Sequence, residues 1–278
     1  MSGRRQAVTA AVLVGLIPLL NLLSAVVVAL VILRRGLQEG LLVLLWALLP
    51  AALQWYAGDA SVVFALVAIV PLAYLLRKGS AWATVIFVTM GFGIALQLSL
   101  VWQSGYVALI RETMDTVLTL MQNQGAPPML IQNGELVPAT ASQLTDMLLS
   151  VYGIGNALVF ITTLMTARYC QAMLYNPGGF QAEFHALRPE PRVMLALCAL
   201  VLAGLAGMPG LKGWVNLLCL APLLTGLAVV HALAAGRQGG RVWLVLAYLV
   251  LLLIPPVIVM LGFADSVVDF RRRYKRTI

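Results

Sequence analysis

Charge is what this sequence has least of. Only 10% of its 278 residues are Asp, Glu, Lys or Arg, against 62% hydrophobic residues, and mean hydropathy is +0.96. A soluble domain carries roughly a quarter charged residues, so too few are present here to cover a water-facing surface. Cysteine is scarce too. Cys170, Cys198 and Cys219 stand far apart with no CxxC or Cys/His spacing, which argues against a disulfide or zinc framework and leaves them as small packing residues. Catalytic signatures are missing as well. No HExxH, GxSxG, Walker loop or GxGxxG occurs, and Gly91-Phe-Gly93 and Gly153-Ile-Gly155 are isolated. The expectation is a chain that is not an enzyme, with no catalytic residues, cofactor or metal.

The charges that are present punctuate the chain. Residues 6–33, 40–58, 60–76 and 79–110 contain none, and neither do 147–167, 193–211, 213–236 and 242–264. A charge near the bilayer centre costs at least ~2.5 kcal/mol, so such gaps are what spanning helices require, and helices are the form that satisfies their backbone in lipid. The alternation of a membrane barrel is absent. The expected fold is all-α, a polytopic transmembrane bundle of about eight hydrophobic segments, approximately 7–33, 40–57, 60–76, 80–101, 147–170, 193–208, 213–235 and 242–264. Pro18, Pro50, Pro71, Pro222 and Pro255–Pro256 fall within these segments and predict kinks. Arg4 and Arg5 resemble the basic start of a signal peptide, but the apolar run that follows is too long for one.

One long stretch departs from the pattern. Residues 103–146 hold Glu112, Asp115, Glu135 and Asp146 against a single Arg111. Leu109, Met114, Val117, Leu118 and Met121 lie near helical spacing, which predicts an amphipathic interfacial helix over 106–122. Turns follow around Pro127-Pro128 and Asn133-Gly134, and a helix start near Thr140. This extramembrane insertion sits between the fourth and fifth segments.

The net charge of +8 does not point to nucleic acid. Lys and Arg sit in pairs and short runs beside apolar stretches, at headgroup level, and five of the eighteen lie in the last eight residues. Eight plain crossings divide the eighteen equally between the two sides. If the first segment turns back at Pro18–Asn21 and the last at Pro255–Pro256, all but Arg111 and Lys212 share one side, which is the asymmetry of the positive-inside rule.

Candidate functional residues fall into two sets. Asn21, Gln97, Asn156 and Asn216 lie in or near segments, where an unpaired polar group is costly. They either line a small-solute cavity or hydrogen-bond between helices; His231 is closer to a segment end. The second set lies in two short polar motifs. In residues 176–189, Pro177-Gly178-Gly179 ends a helix and Phe180, Phe184 and Leu187 share a face, as in a short interfacial helix, with Glu183, His185 and Arg188 around it. In residues 262–274, Asp265 and Asp269 are one turn apart, followed by Arg272 and Arg273. Glu183, His185, Arg188, Asp265, Asp269 and Arg272 are candidates for a surface or partner contact, or for charges neutralised where helices leave the membrane.

The two motifs carry a family likeness. Gly179-Phe180…Glu183-Phe184…Leu187-Arg188-Pro189 and Gly262…Asp265…Asp269-Phe270-Arg271-Arg272, with the span pattern, resemble the YybS-like family of bacterial polytopic membrane proteins, whose biochemical role is not established. That family is distantly similar to the substrate-binding membrane components of energy-coupling-factor transporters. The resemblance implies a bundle of about six helices that binds a small solute and docks on a coupling subunit through small residues of its first helix; Ala7 and Ala11, four apart, have the matching spacing. The expected function is small-solute binding or a transport-accessory role in the bacterial inner membrane, as a multi-pass protein, with the lipid bilayer and a membrane protein partner around it. The alternative is a scaffold or envelope-assembly factor acting through protein contacts.

Overall fold

A computed structural model describes residues 3–17, 20–56, 60–132 and 135–275. Helix dominates. In chain order the helices are α1 (Arg4–Leu16), α2 (Leu22–Arg35), α3 (Leu37–Tyr56), α4 (Ser61–Arg77), α5 (Trp82–Ser99), α6 (Ser104–Asn123), α7 (Ala141–Ser150), α8 (Tyr152–Tyr175), α9 (Gly179–His185), α10 (Pro191–Leu205), α11 (Val215–Leu218), α12 (Leu220–Ala235), α13 (Gly240–Leu253), α14 (Pro255–Val268) and α15 (Phe270–Lys275). A short antiparallel hairpin, β1 (Met129–Gln132) and β2 (Glu135–Pro138), interrupts them, with Gln132 opposite Glu135.

Among the described residues, four helices are long and apolar enough to cross a membrane: Leu37–Tyr56, Trp82–Ser99, Ala141–Tyr175 and Lys212–Ala235, or five if α13 and α14 count as one bent span. This is fewer than eight full crossings, and the reasons are local. A span needs about 20 residues, whereas α4 has 17 and α10 has 15. The first apolar segment is divided into α1 of 13 residues and α2 of 14. Pro18 itself lies outside the described residues. The last segment breaks at Ile254, held at φ −141° and ψ 68°, as a residue before proline is driven from helical geometry, and the chain bends by 114° between α13 and α14. Pro50 and Pro71 sit inside continuous helices. Pro222 falls in the first turn of α12, where its missing N–H removes no intrahelical bond.

Both breaks return the chain. Arg4 at the start of α1 pairs with Glu39 at the start of α3, while a Cβ on Gly15 would meet Pro50 and Ser24. α1 therefore runs alongside α3 and back to back with α2. Ala7, Ala11 and Gly15 form the buried face of α1, so the small-residue row expected to dock on a partner is covered by the chain's own helices. At the other terminus, α13 begins beside α9 and α12, and α14 ends beside the 186–188 turn through contacts described below.

The core runs between α2, α3, α4, α5 and α8, through Val28, Ile32, Val43, Leu66, Ile69, Ile86, Phe160 and Leu164. Glycine sets the closest approaches, where absence of a side chain lets backbones come together. Gly93 of α5 and Gly153 of α8 face each other, and a Cβ on Gly153 would stand 2.8 Å from the Gly93 carbonyl oxygen. Gly226 of α12 lies against the Ile258 carbonyl, and Gly262 of α14 against that of Pro222. Small residues spaced by four in the sequence, Ala199-Ala203-Gly207 and Ala228-Ala232-Gly236, do not form continuous seams: Ala199, Gly207 and Gly236 are exposed.

The 103–146 insertion forms α6, the hairpin and α7. Thr140 caps α7 through a capping box with Gln143, satisfying two otherwise orphaned N–H groups. α6 is solvent- or lipid-facing over most of its surface and buries only Leu118.

Candidate functional site

Polar side chains collect at one end of the bundle. Arg77 donates to the Ile32 and Leu33 carbonyls at the end of α2, at 3.2 and 2.7 Å. These are the carbonyls a helix C-terminus leaves unsatisfied. Gln171 of α8 also reaches the Leu33 carbonyl, and Arg168 donates to Gln171. Arg34 lies over the Tyr175 ring, 4.2 Å from its centroid.

The two motifs dock here. Glu183 of α9 accepts a two-point ion pair from Arg168 and a 3.1 Å hydrogen bond from the Trp82 indole. Burial would raise the Glu183 carboxyl, but the bonds from Arg168 and Trp82 outweigh it and hold the group below its usual range. Arg188 pairs with Asp269 at 2.5 Å and donates to the Asp265 and Ser266 carbonyls. Arg271 pairs with Asp265, also at 2.5 Å, and donates to the His185 and Leu187 carbonyls. Asp265 is fully buried, and it further accepts from the Phe270 N–H. Asp269 is the one described non-glycine residue at positive φ, 54°; its left-handed turn reverses the chain so that Arg271 can reach back to Asp265. Burial opposes the charged Asp269 carboxylate, but the Arg272 N–H and the charge of Arg188 hold it below the ordinary value.

Of the cavities beside α9, two are the more voluminous. The larger, about 870 Å³, is an open groove walled by Phe180, Phe184, Tyr169, His231 and Tyr248, with Thr162, Thr166, Gln181 and His185 among its polar groups and Arg237 and Arg241 also lining it. Its aromatic wall is continuous: Phe180 stacks on Phe184, Phe184 meets His231 edge-on, and His231 hydrogen-bonds the Tyr248 hydroxyl at 3.0 Å. The smaller, about 540 Å³, lies on the other side of α9 among Arg77, Arg168, Arg188, Glu183, Gln171 and Trp82.

Glu183, His185, Arg188, Asp265 and Asp269 are thus brought into one region, while Arg272 is exposed and contributes its backbone N–H to Asp269. Asn21, Gln97, Asn156 and Asn216 are not brought together, and none lines either cavity. Asn21 donates to Gln54, which donates to the Gly15 carbonyl, tying α1, α2 and α3. Gln97 bridges α5 to the Leu149 carbonyl and Gly153 N–H. Asn156 bonds within its own helix, and Asn216 is exposed. Arg77, Trp82, Arg168, Arg271 and Tyr248 escaped the sequence reading. For Arg77 and Arg168 a signal existed, since each stands directly after a charge-free apolar stretch, and Arg271 lies within the second motif itself.

No protein-family model matches the chain, and no curated protein or solved structure matches it either.

Proposed function

We propose that this chain is a multi-pass component of the bacterial inner membrane that binds a small amphiphilic solute, in a transport or transport-accessory role, and that it is not an enzyme. The observation that carries this reading is the aromatic groove of about 870 Å³ between α8, α9, α12 and α13. Solute sites are concave, mostly apolar and supplied with a few convergent polar groups. Here four aromatic rings offer stacking surface, His185 and His231 offer ring nitrogens, and Arg237 and Arg241 offer positive charge to an anionic head. The likeness of the 176–189 and 262–274 motifs to the YybS-like family, and the more distant one to energy-coupling-factor substrate-binding components, supports the same reading. The solute seat lies beside α9 instead of among Asn21, Gln97, Asn156 and Asn216.

The basic end of the bundle faces the cytoplasm in this proposal. Arg4, Arg34, Arg77, Arg168, Arg188 and Arg271 converge there, and the acidic insertion then lies outside, in accord with positive-inside bias. A partner-binding role has one observation in its favour: α6 leaves Leu109, Val117 and Leu120 exposed, an apolar face suited to a membrane surface or a protein.

A thermal-shift screen of the detergent-purified chain against small anionic amphiphiles tests the solute reading. A ligand of the groove raises Tm in a saturable way, and Phe184→Ala and Tyr248→Ala each weaken it by at least tenfold. A ligand that shifts Tm equally in both variants would place binding elsewhere and overturn the assignment.

A further inference from the structure

We infer that the second, polar cavity is a separate anion site that takes a phosphate group. Its walls carry three guanidinium groups, from Arg77, Arg168 and Arg188, against one carboxylate, Glu183. The lining residues thus bear two positive charges in excess; Asp269, which pairs with Arg188 from beside the cavity, reduces the excess to one. The three arginines come from three different parts of the chain, so their convergence is a product of the fold.

The hydrogen-bond inventory leaves donors over. Arg77 has no carboxylate partner among the described residues: one nitrogen, Nη1, caps the α2 carbonyls, and its exposed head keeps its other N–H groups for a ligand. Arg188 uses both terminal nitrogens on Asp269 and two carbonyls, and its Nε–H is buried out of reach of the cavity, so Arg188 lends the cavity charge while Arg77 lends the unspent donors. Guanidinium forks match phosphate oxygens, and basic pockets between membrane helices on the cytoplasmic side bind phosphate-bearing head groups. A volume of about 540 Å³ holds a phosphate ester with room for its substituent.

The phosphate reaches this site either as a soluble anion or as the head group of an anionic phospholipid. Two measurements on the full chain separate these sources. In detergent, Tm is followed against inorganic phosphate, with chloride adjusted to constant ionic strength. From bilayers of mixed phosphatidylglycerol and phosphatidylcholine, co-purifying lipid is counted by native mass spectrometry. Three variants accompany the wild type. Arg77→Gln removes a donor, Ser80→Asp brings a negative charge to the loop lining the cavity, and Arg5→Gln removes an exposed arginine elsewhere. Ser80 makes no described side-chain bond, so its variant keeps the test open if Arg77→Gln fails to fold.

A soluble-anion site gives a saturable rise in Tm, with the half-saturating phosphate concentration raised at least tenfold by Arg77→Gln and Ser80→Asp and unchanged by Arg5→Gln. A lipid site gives no such rise, but selective retention of phosphatidylglycerol that falls at least fivefold in the same two variants. Neither response, or an equal loss in Arg5→Gln, overturns the inference. The solute groove is unaffected by that outcome, because neither Arg77 nor Ser80 lines it.

Discussion

Arg271 holds the carboxylate of Asp265, six residues behind it, in an ion pair that leaves Asp265 no exposed surface. The pair joins the end of α14 to α15, and the other terminal nitrogen of Arg271, Nη1, fastens both to the end of α9 and the turn after it. The 262–274 motif is thus a clasp that closes on the 176–189 motif, with Arg188 and Asp269 as its second rivet.

Removing one member of a buried pair strands the other charge, at a cost of about 3–5 kcal/mol. Asp265→Asn is therefore expected to destabilise the chain by that order, measured by denaturant unfolding in mixed micelles. Asp265→Asn combined with Arg271→Met should cost clearly less than Asp265→Asn alone. An additive or larger loss would mean that the pair is not the unit of stabilisation.

Backbone approach makes a second, sharper contrast. Gly91 and Gly93 are two residues apart in one helix, but nothing lies within 4 Å of a Cβ placed on Gly91, while a Cβ on Gly93 would meet Leu217 at 2.7 Å and the Gly153 carbonyl at 2.9 Å. Gly91→Ala should be neutral or stabilising by up to about 1 kcal/mol, since alanine is the better helix former. Gly93→Ala should cost about 1–3 kcal/mol through overpacking. Gly262→Ala, facing the Pro222 carbonyl more closely still, should be worse. Melting temperatures of the three variants in one detergent decide the order.

Acid should loosen α9. The Glu183 and Asp269 carboxyls are both held below their ordinary values of 4.5 and 3.8. Each therefore contributes stability that is complete above its unfolded-state value and is lost as pH falls through the lower folded-state value. Tm should be level near neutrality and fall below about pH 4.5, and Glu183→Gln should flatten part of that fall. A fall of the same size in Glu183→Gln would show that other groups cause it.

Much of the helical plan was legible because its cause is one-dimensional: a charge-free run of Leu, Val, Ala and Ile has no alternative to helix in lipid. Helix lengths were less legible. The run from 6 to 33 shows no charge where α1 ends and α2 begins, and only Pro18 and Asn21 hint at the break. The polar candidates split for a different reason. Asn21 and Gln97 use the same amide chemistry whether they line a cavity or clamp neighbouring helices, and their partners, Gln54 and the Leu149 carbonyl, lie 33 and 52 residues away. The two motifs stood out as polar islands, but their mutual docking spans 81 residues between Arg188 and Asp269. Glycine seams were hidden by abundance, since 24 glycines give many small-residue spacings and packing selects few.

The return of both terminal segments to the basic end is the feature on which cavity access and orientation alike depend, and side-specific cysteine labelling in intact cells addresses it directly. With Cys170, Cys198 and Cys219 replaced by serine, single cysteines are placed by Arg5→Cys, Arg35→Cys, Arg241→Cys and Glu135→Cys. The expected result is that a membrane-impermeant maleimide added outside reacts at position 135 alone, while 5, 35 and 241 react only after the inner membrane is opened. Labelling of position 35 or 241 from outside, with position 5 protected, would mean that a terminal segment crosses the bilayer and would contradict the arrangement.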